Sequence, residues 1–130
     1  MNCYCGNDKP YKDCCEIFHL NNGKTETAEQ LMRSRYSAFV LTNGDYLMHT
    51  HHRSTRPISE KKAIVTWAKS VSWIKLDVLK TSKGLANDKE GTVTFNAYFQ
   101  KKGCIDVIHE KSAFIKENET WYYLGYAKNK

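Results

Sequence analysis

Apolar positions along the chain follow two periods, and the change from one to the other falls near residue 72. Before it, Ala28, Leu31, Met32, Tyr36 and Phe39 recur every three or four residues, which predicts a helix with one buried face. Thr27 with Gln30 three positions on reads as its amino-terminal cap, and Asn43-Gly44 as its stop. Asp45 is expected to cap a short second helix running to about His51. Pro57 then breaks the chain, and Ser59 opens a third helix whose buried stripe is Ala63, Ile64, Trp67, Ala68 and Val71. From Trp73 the period becomes two. Ile74, Leu76 and Val78 alternate with Lys75 and Asp77, and Val93, Phe95, Ala97 and Phe99 alternate with Thr94, Asn96 and Tyr98. "KKG" at 101–103 and "ENE" at 117–119 read as hairpin turns separating strands at 91–100, 104–116 and 120–127. Helices followed by antiparallel strands predict an α+β fold, with about three helices covering one face of a four-stranded sheet.

Residues 1–20 carry neither period; what they carry is sulfur. The stretch "CYCGNDKPYKDCC" holds Cys3, Cys5, Cys14 and Cys15, four of the five cysteines in the chain, with Cys104 far away. Two close pairs joined by a short loop containing Gly6 and Pro10 can bring four sulfurs to one point, as a tetrahedral Zn2+ requires. Disulfides or four free thiols are the competing readings, but neighbouring cysteines bridge each other only with strain, a reducing compartment disfavours disulfides, and free thiols at this density invite oxidation without a packing benefit. His19, four residues beyond Cys15, competes with it for the fourth position; Cys15 is the preferred ligand. Four protein ligands leave no open coordination position, so the site reads as structural. Lys9 and Lys12 inside the loop would offset the negative charge of the centre. A twenty-residue segment has almost no core, so ligation must supply its folding energy, on the order of 10 kcal/mol.

The cysteine stretch resembles the SEC-C motif, the short zinc module at the carboxyl end of the SecA translocation ATPase. With "TAEQLMRSRYSAFVLTNGDYLMHTHHRSTRP", "IHEKSAF" and "WYYLGYA", nearly the whole chain is similar to the YchJ-like family of small bacterial proteins. It departs in having "GND" where that family reads Gly-Ser-Gly and "HHRSTRP" where a Trp-His-Pro-Ser-Thr run is commoner. The second SEC-C copy that many relatives carry is not in the sequence, which ends at Lys130. The resemblance implies a SEC-C-like module at 1–20 and, at 25–130, a cone of the nuclear-transport-factor-two and ketosteroid-isomerase type. In such a cone a curved sheet wraps the helices and leaves a cavity at its open end. It also implies docking, since related modules contact a chaperone or the ribosome.

Composition narrows the setting. The 130 residues are 41% hydrophobic, yet the longest uninterrupted apolar run is Ala38 to Leu41, far short of the ~20 residues that span a bilayer. No basic head followed by an apolar segment marks a secretory signal, so a cytoplasmic protein is expected. The formal charge is +6; four thiolates on one Zn2+ would bring it to about +4. That surplus favours weak, salt-sensitive contact with an anionic partner such as RNA.

One charge interrupts the first helix. At helical spacing Arg35 falls between Leu31 and Phe39, within the apolar stripe, and a guanidinium cannot shed its proton to escape burial. Glu110 shares strand parity with Ile108 and Phe114 and is the expected partner, either as a buried salt bridge or, with Tyr36, as the wall of a ligand pocket. The run "HTHHRSTR" invites a second metal site through His49 and His52, but no nearby acidic residue completes one. His109 points away from Glu110, as strand neighbours do. Two functional readings follow. The first is a zinc-binding, non-catalytic adaptor whose module docks a protein or ribonucleoprotein partner while the cone binds a partner or small ligand. The second is an enzyme using Glu110 for acid/base work in the cone. A sheet face carrying Tyr98, Tyr122 and Tyr126 leaves homodimerisation open.

Overall fold

The computed structural model describes residues 2–127. A 3-10 turn at Tyr11–Asp13 leads into α1 (Cys15–Leu20), followed by α2 (Ala28–Val40) and α3 (Gly44–Thr50). A second 3-10 turn at Ile58–Glu60 precedes α4 (Lys61–Ser70). The strands β1 (Ser72–Lys83), β2 (Glu90–Lys101), β3 (Cys104–Glu117) and β4 (Thr120–Tyr126) then form one antiparallel meander in chain order. Helices cover one face of this sheet, the α+β arrangement expected from the change of period.

The strands follow their alternation most faithfully in β2, where Gly91, Val93, Phe95, Ala97 and Phe99 are buried and the residues between them half-buried. Both expected hairpins form. Lys102 and Gly103 sit at φ 52° and 82°, and Asn118 and Glu119 at 51° and 65°. Two successive left-handed residues give the primed turn that suits the right-handed twist of paired strands. β1 departs from simple alternation: register shifts between Trp73 and Lys75 and between Val78 and Lys80 leave Ile74 and Leu79 outside the pairing and exposed. Ile74, expected on the same face as Leu76, is therefore turned outward by a bulge that also bends the strand.

The α2 cap is as expected. Thr27 Oγ1 accepts from the Gln30 amide at 3.1 Å, while the Glu26 amide donates to Gln30 Oε1 at 2.8 Å. The next two helix starts differ from expectation. Asn43, not Asp45, caps α3, its Oδ1 accepting from the Tyr46 amide at 3.1 Å; Asp45 instead pairs with Lys61 on α4. α4 begins at Lys61 because Ser59 is taken up by the 3-10 turn. Its apolar stripe is also less buried than expected: Ala68 is buried, Ile64 and Trp67 are half-buried, and Ala63 is exposed. The helix stands over a cavity rather than lying flat on the sheet.

The main core joins Leu31, Met32 and Tyr36 of α2 to Leu76, Val93, Phe95, Phe114 and Trp121 of the sheet. Trp121 reaches past this core to donate from Nε1 to the Glu26 carbonyl at 3.0 Å, fixing the start of α2 to β4. A smaller cluster of Ala38, Tyr46 and Leu47 holds α3 to α2. A third is made of the four amino-terminal cysteines.

Candidate metal centre and cone cavity

The backbone assembles the cysteines in two turns. Gly6, at φ 95°, lets its amide return to the Cys3 carbonyl at 3.1 Å, and the Cys3 amide donates to the Lys9 carbonyl. Positive φ suits glycine, so a side chain at position 6 would strain the loop. The turn at Tyr11–Asp13 then delivers Cys14 and Cys15 to the opposite side. All four residues are buried, and their Sγ atoms lie within 4.8 Å of one another. Cys5 and Cys14 are 3.7 Å apart between sulfurs; four sulfurs at ~2.3 Å from a tetrahedral centre are spaced about 3.8 Å. The donor set and its packing therefore fit a metal ion held by four thiolates.

Hydrogen-bond donors surround the sulfurs. Asn7 Nδ2 donates to Cys14 Sγ at 3.5 Å, and Ser37 Oγ lies 3.7 Å from Cys3 Sγ. Arg33 Nη1 donates to the Cys5 carbonyl at 2.6 Å, bringing a cation from α2 to the loop. The Cys5 thiol is held down at about 5, chiefly by the Cys15 thiol donating to it; the same contact, with burial, pushes Cys15 up.

His19 stands outside the sulfur cluster. Its Nε2 is 2.8 Å from the Ser34 carbonyl and its Nδ1 2.7 Å from the Tyr11 hydroxyl. A carbonyl can only accept, so Nε2 carries the proton and Nδ1 accepts from Tyr11. Nε2 thus holds α1 against α2 and Nδ1 holds it against the Tyr11–Asp13 turn, so neither nitrogen is free for a metal, and Cys15 completes the four-sulfur set. Asp8, Asp13 and Glu16 outnumber Lys9 and Lys12 in this segment, so the two lysines offset the charge of the centre only in part. The positive surplus of the chain lies beyond residue 20.

The second feature is a cavity of about 400 Å3 between α2, α3, α4 and the sheet. Arg35 and Glu110 both line it, but Tyr36 does not. Tyr36 is buried in the main core, edge-on to Trp73 at 5.7 Å. Arg35, only 6% exposed, is not paired with Glu110 as expected. Its Nη1 donates to the Leu47 carbonyl at 2.9 Å and to Thr50 Oγ1 at 2.8 Å, and its guanidinium carbon lies 4.4 Å from the centre of the Tyr123 ring. Glu110 is turned to other donors: Tyr123 Oη at 2.8 Å and the Ser112 hydroxyl both donate to its Oε2. The tyrosine therefore stands between the two charges. Burial pulls the guanidinium down to about 10.

The histidine run resolves into separate roles. His49 is exposed, whereas His52 is buried between Ser54 Oγ at 2.7 Å and Glu117 Oε2 at 3.2 Å. Glu117, distant in sequence, supplies the acidic neighbour that the local run lacks, and it also pairs with Arg53. His51, not singled out by the sequence, lines the cavity, edge-on to Tyr123 at 4.9 Å. Burial first, and Arg35 second, lower its pKa to about 4. His109 faces the other side of the sheet from Glu110 and bonds Asn96 at 2.7 Å.

Comparison with known proteins bears on both features. Residues 27–125 match the family described as YchJ, middle NTF2-like domain. A UPF0225 protein of Vibrio parahaemolyticus is 44% identical over 122 residues, which cover 94% of this chain and 72% of the relative. One from Haemophilus influenzae is 38% identical over 123 residues, covering 95% and 75%. The solution structure of a SEC-C motif containing protein from Rhodopseudomonas palustris matches all of both chains, with a TM-score of 0.88 and 32% identity. The crystal structure of another, from Psychrobacter arcticus, gives 0.82 and 29%, over all of this chain and 85% of the other.

Proposed function

The chain belongs to the YchJ-like family with its NTF2-like domain, and from that premise we propose that it is a zinc-binding, non-catalytic docking protein. The observation that carries this reading is the set of four mutually close, buried thiols. With every sulfur directed inward, a bound ion has no position left for substrate, and it supplies folding energy to a segment without an apolar core. Zinc is the ion that four thiolates in a tetrahedral, redox-inert structural site favour.

The protein's own residues do the rest. Ser34, Ser37 and Arg33 of α2 hold the module in one orientation. Tyr4, Ile17 and Leu20 of the module remain exposed at 40%, 49% and 79%. Exposed apolar side chains on a rigid acidic module offer contact points to a protein or ribonucleoprotein partner. The cone, with its positive surplus, acts as the second docking body.

The test compares wild type, Cys14→Ser/Cys15→Ser and Leu20→Glu. Wild type should carry one zinc per chain by elemental analysis, and the double variant none. Partner recovery from lysate at two salt concentrations should fall in both variants, although Leu20→Glu keeps its metal. Undiminished recovery with both variants would overturn the docking reading, and a metal-free wild type would remove its basis.

A further inference from the structure

We propose that the cone cavity is a binding site for a small apolar monocarboxylate, with Arg35 receiving the carboxylate. The inference is independent of the metal centre and rests on the unpaired hydrogen-bond donors of Arg35 in the cavity wall. A buried cation is costly unless it meets an anion, and a guanidinium cannot neutralise itself. Among the described residues no carboxylate lies within ion-pair distance of Arg35. Nη1 is satisfied by Leu47 and Thr50, whereas Nε and Nη2 have no acceptor among those residues. No fully buried side-chain nitrogen or oxygen lacks a partner, so these two nitrogens keep access to the cavity that Arg35 lines. A carboxylate there would complete a two-point hydrogen bond of the strong, charge-assisted kind.

The rest of the wall sets the class of ligand. Met32, Phe39, Leu47, Ile64, Trp67 and Phe95 make most of it apolar, and its volume lies in the range of small-molecule sites. The only arginine or lysine among the lining residues is Arg35, while Glu60 and Glu110 are both present. With two carboxylates in the same wall, the guanidinium's free donors can receive at most a single negative charge, and the wall opposes a dianion such as a phosphate monoester. The Tyr123 ring covers one face of the guanidinium, and its hydroxyl donates to Glu110, so that carboxylate is engaged by a neutral donor instead of by Arg35.

The probes are phenylacetate, its uncharged amide phenylacetamide, and the dianion phenyl phosphate, each titrated into the full metal-loaded chain. Amide-resolved NMR is the readout. Phenylacetate should shift residues of α2, α3, β2 and β3 around the cavity, with an affinity about tenfold or more above that of phenylacetamide. Phenyl phosphate should bind more weakly than phenylacetate. Ile64→Trp, which narrows the cavity at a wall position other than Arg35, should weaken the shifts. Equal affinity for acid and amide, stronger binding of the phosphate, absence of binding at millimolar phenylacetate, or unchanged binding in Ile64→Trp would each overturn the proposal. Arg35→Met, where it folds, should lose the preference for the acid while still admitting the amide, and a retained preference would also count against it.

Discussion

Arg35 is the residue around which the cone is organised, and its surroundings make separable demands. Thr50 Oγ1 accepts from Arg35 and donates to the Tyr46 carbonyl at 2.7 Å, so Thr50→Val breaks two buried hydrogen bonds while keeping the shape. A loss of about 1–3 kcal/mol in urea unfolding is expected. Glu110→Gln is a contrasting case. The amide oxygen can still accept from Tyr123, and no direct ion pair is lost, so the change should stay below about 1 kcal/mol. Breaking a true buried pair would cost ~3–5 kcal/mol, and a loss of that size would restore the direct bridge. His51 gives the fold a pH dependence. Its folded pKa is lowered from 6.5 to about 4, so between those values the unfolded chain binds more protons. Stability from this group is complete above pH 6.5 and declines as pH falls toward 4; His19, lowered by burial, acts with the same sign. Urea midpoints measured across that range should decline less in His51→Gln, and an unaltered decline would exclude His51 as a source. The burial of Arg35 was legible from helical spacing alone. Its aromatic neighbour was not, because Tyr123 pairs with Phe114 beside a register shift in β4, and strand parity cannot be carried across such a shift.

At the level of elements, legibility followed how local the determining interaction is. The two primed turns and the β2 alternation depend on neighbouring residues, and both were readable. The start of α3 depends on whether Asn43 or Asp45 caps it, and a lysine on α4 decides the matter by engaging Asp45. The exposed face of α4 was unreadable because spacing reveals an apolar stripe but not whether a sheet or a cavity lies beneath it. The cap of α2 offers a clean check: Thr27→Ala should cost about 1 kcal/mol, measured by thermal or urea unfolding. The β1–β2 connection offers another. A Cβ on Gly91 would fall 2.5 Å from the backbone of Gly84, which itself has φ 77° and accepts from the Ala28 amide at 2.9 Å. Gly91→Ala must push that loop off the start of α2, for a loss of about 1–3 kcal/mol. An unchanged unfolding midpoint would show that the loop moves aside without cost.

At the level of the whole molecule, α2 is a wall shared by two structures with different sources of stability. Leu31, Met32 and Tyr36 face the main core. Ser34 meets His19 through its carbonyl, Ser37 lies beside Cys3, and Arg33 reaches the Cys5 carbonyl while pairing with Glu29 at 2.9 Å. The cysteine module has little apolar packing beyond its sulfurs, Tyr11 and Phe18, which rests on the α2–α3 cluster. The cone, by contrast, has a continuous core in which Trp121 and Phe114 are fully buried. Removing a structural metal should therefore withdraw on the order of 10 kcal/mol from the module and almost nothing directly from the sheet. The effect on α2 lies between, because one face loses His19 and the cysteine loop while the other keeps its packing. With EDTA, hydrogen exchange should lose protection across residues 2–20, accelerate moderately over 31–38, and remain slow at Val93, Phe95 and Ala97 in β2. Loss of protection in β2 at the same chelator concentration would mean that the metal holds the cone together as well, and that α2 transmits the module's unfolding into the core instead of insulating it.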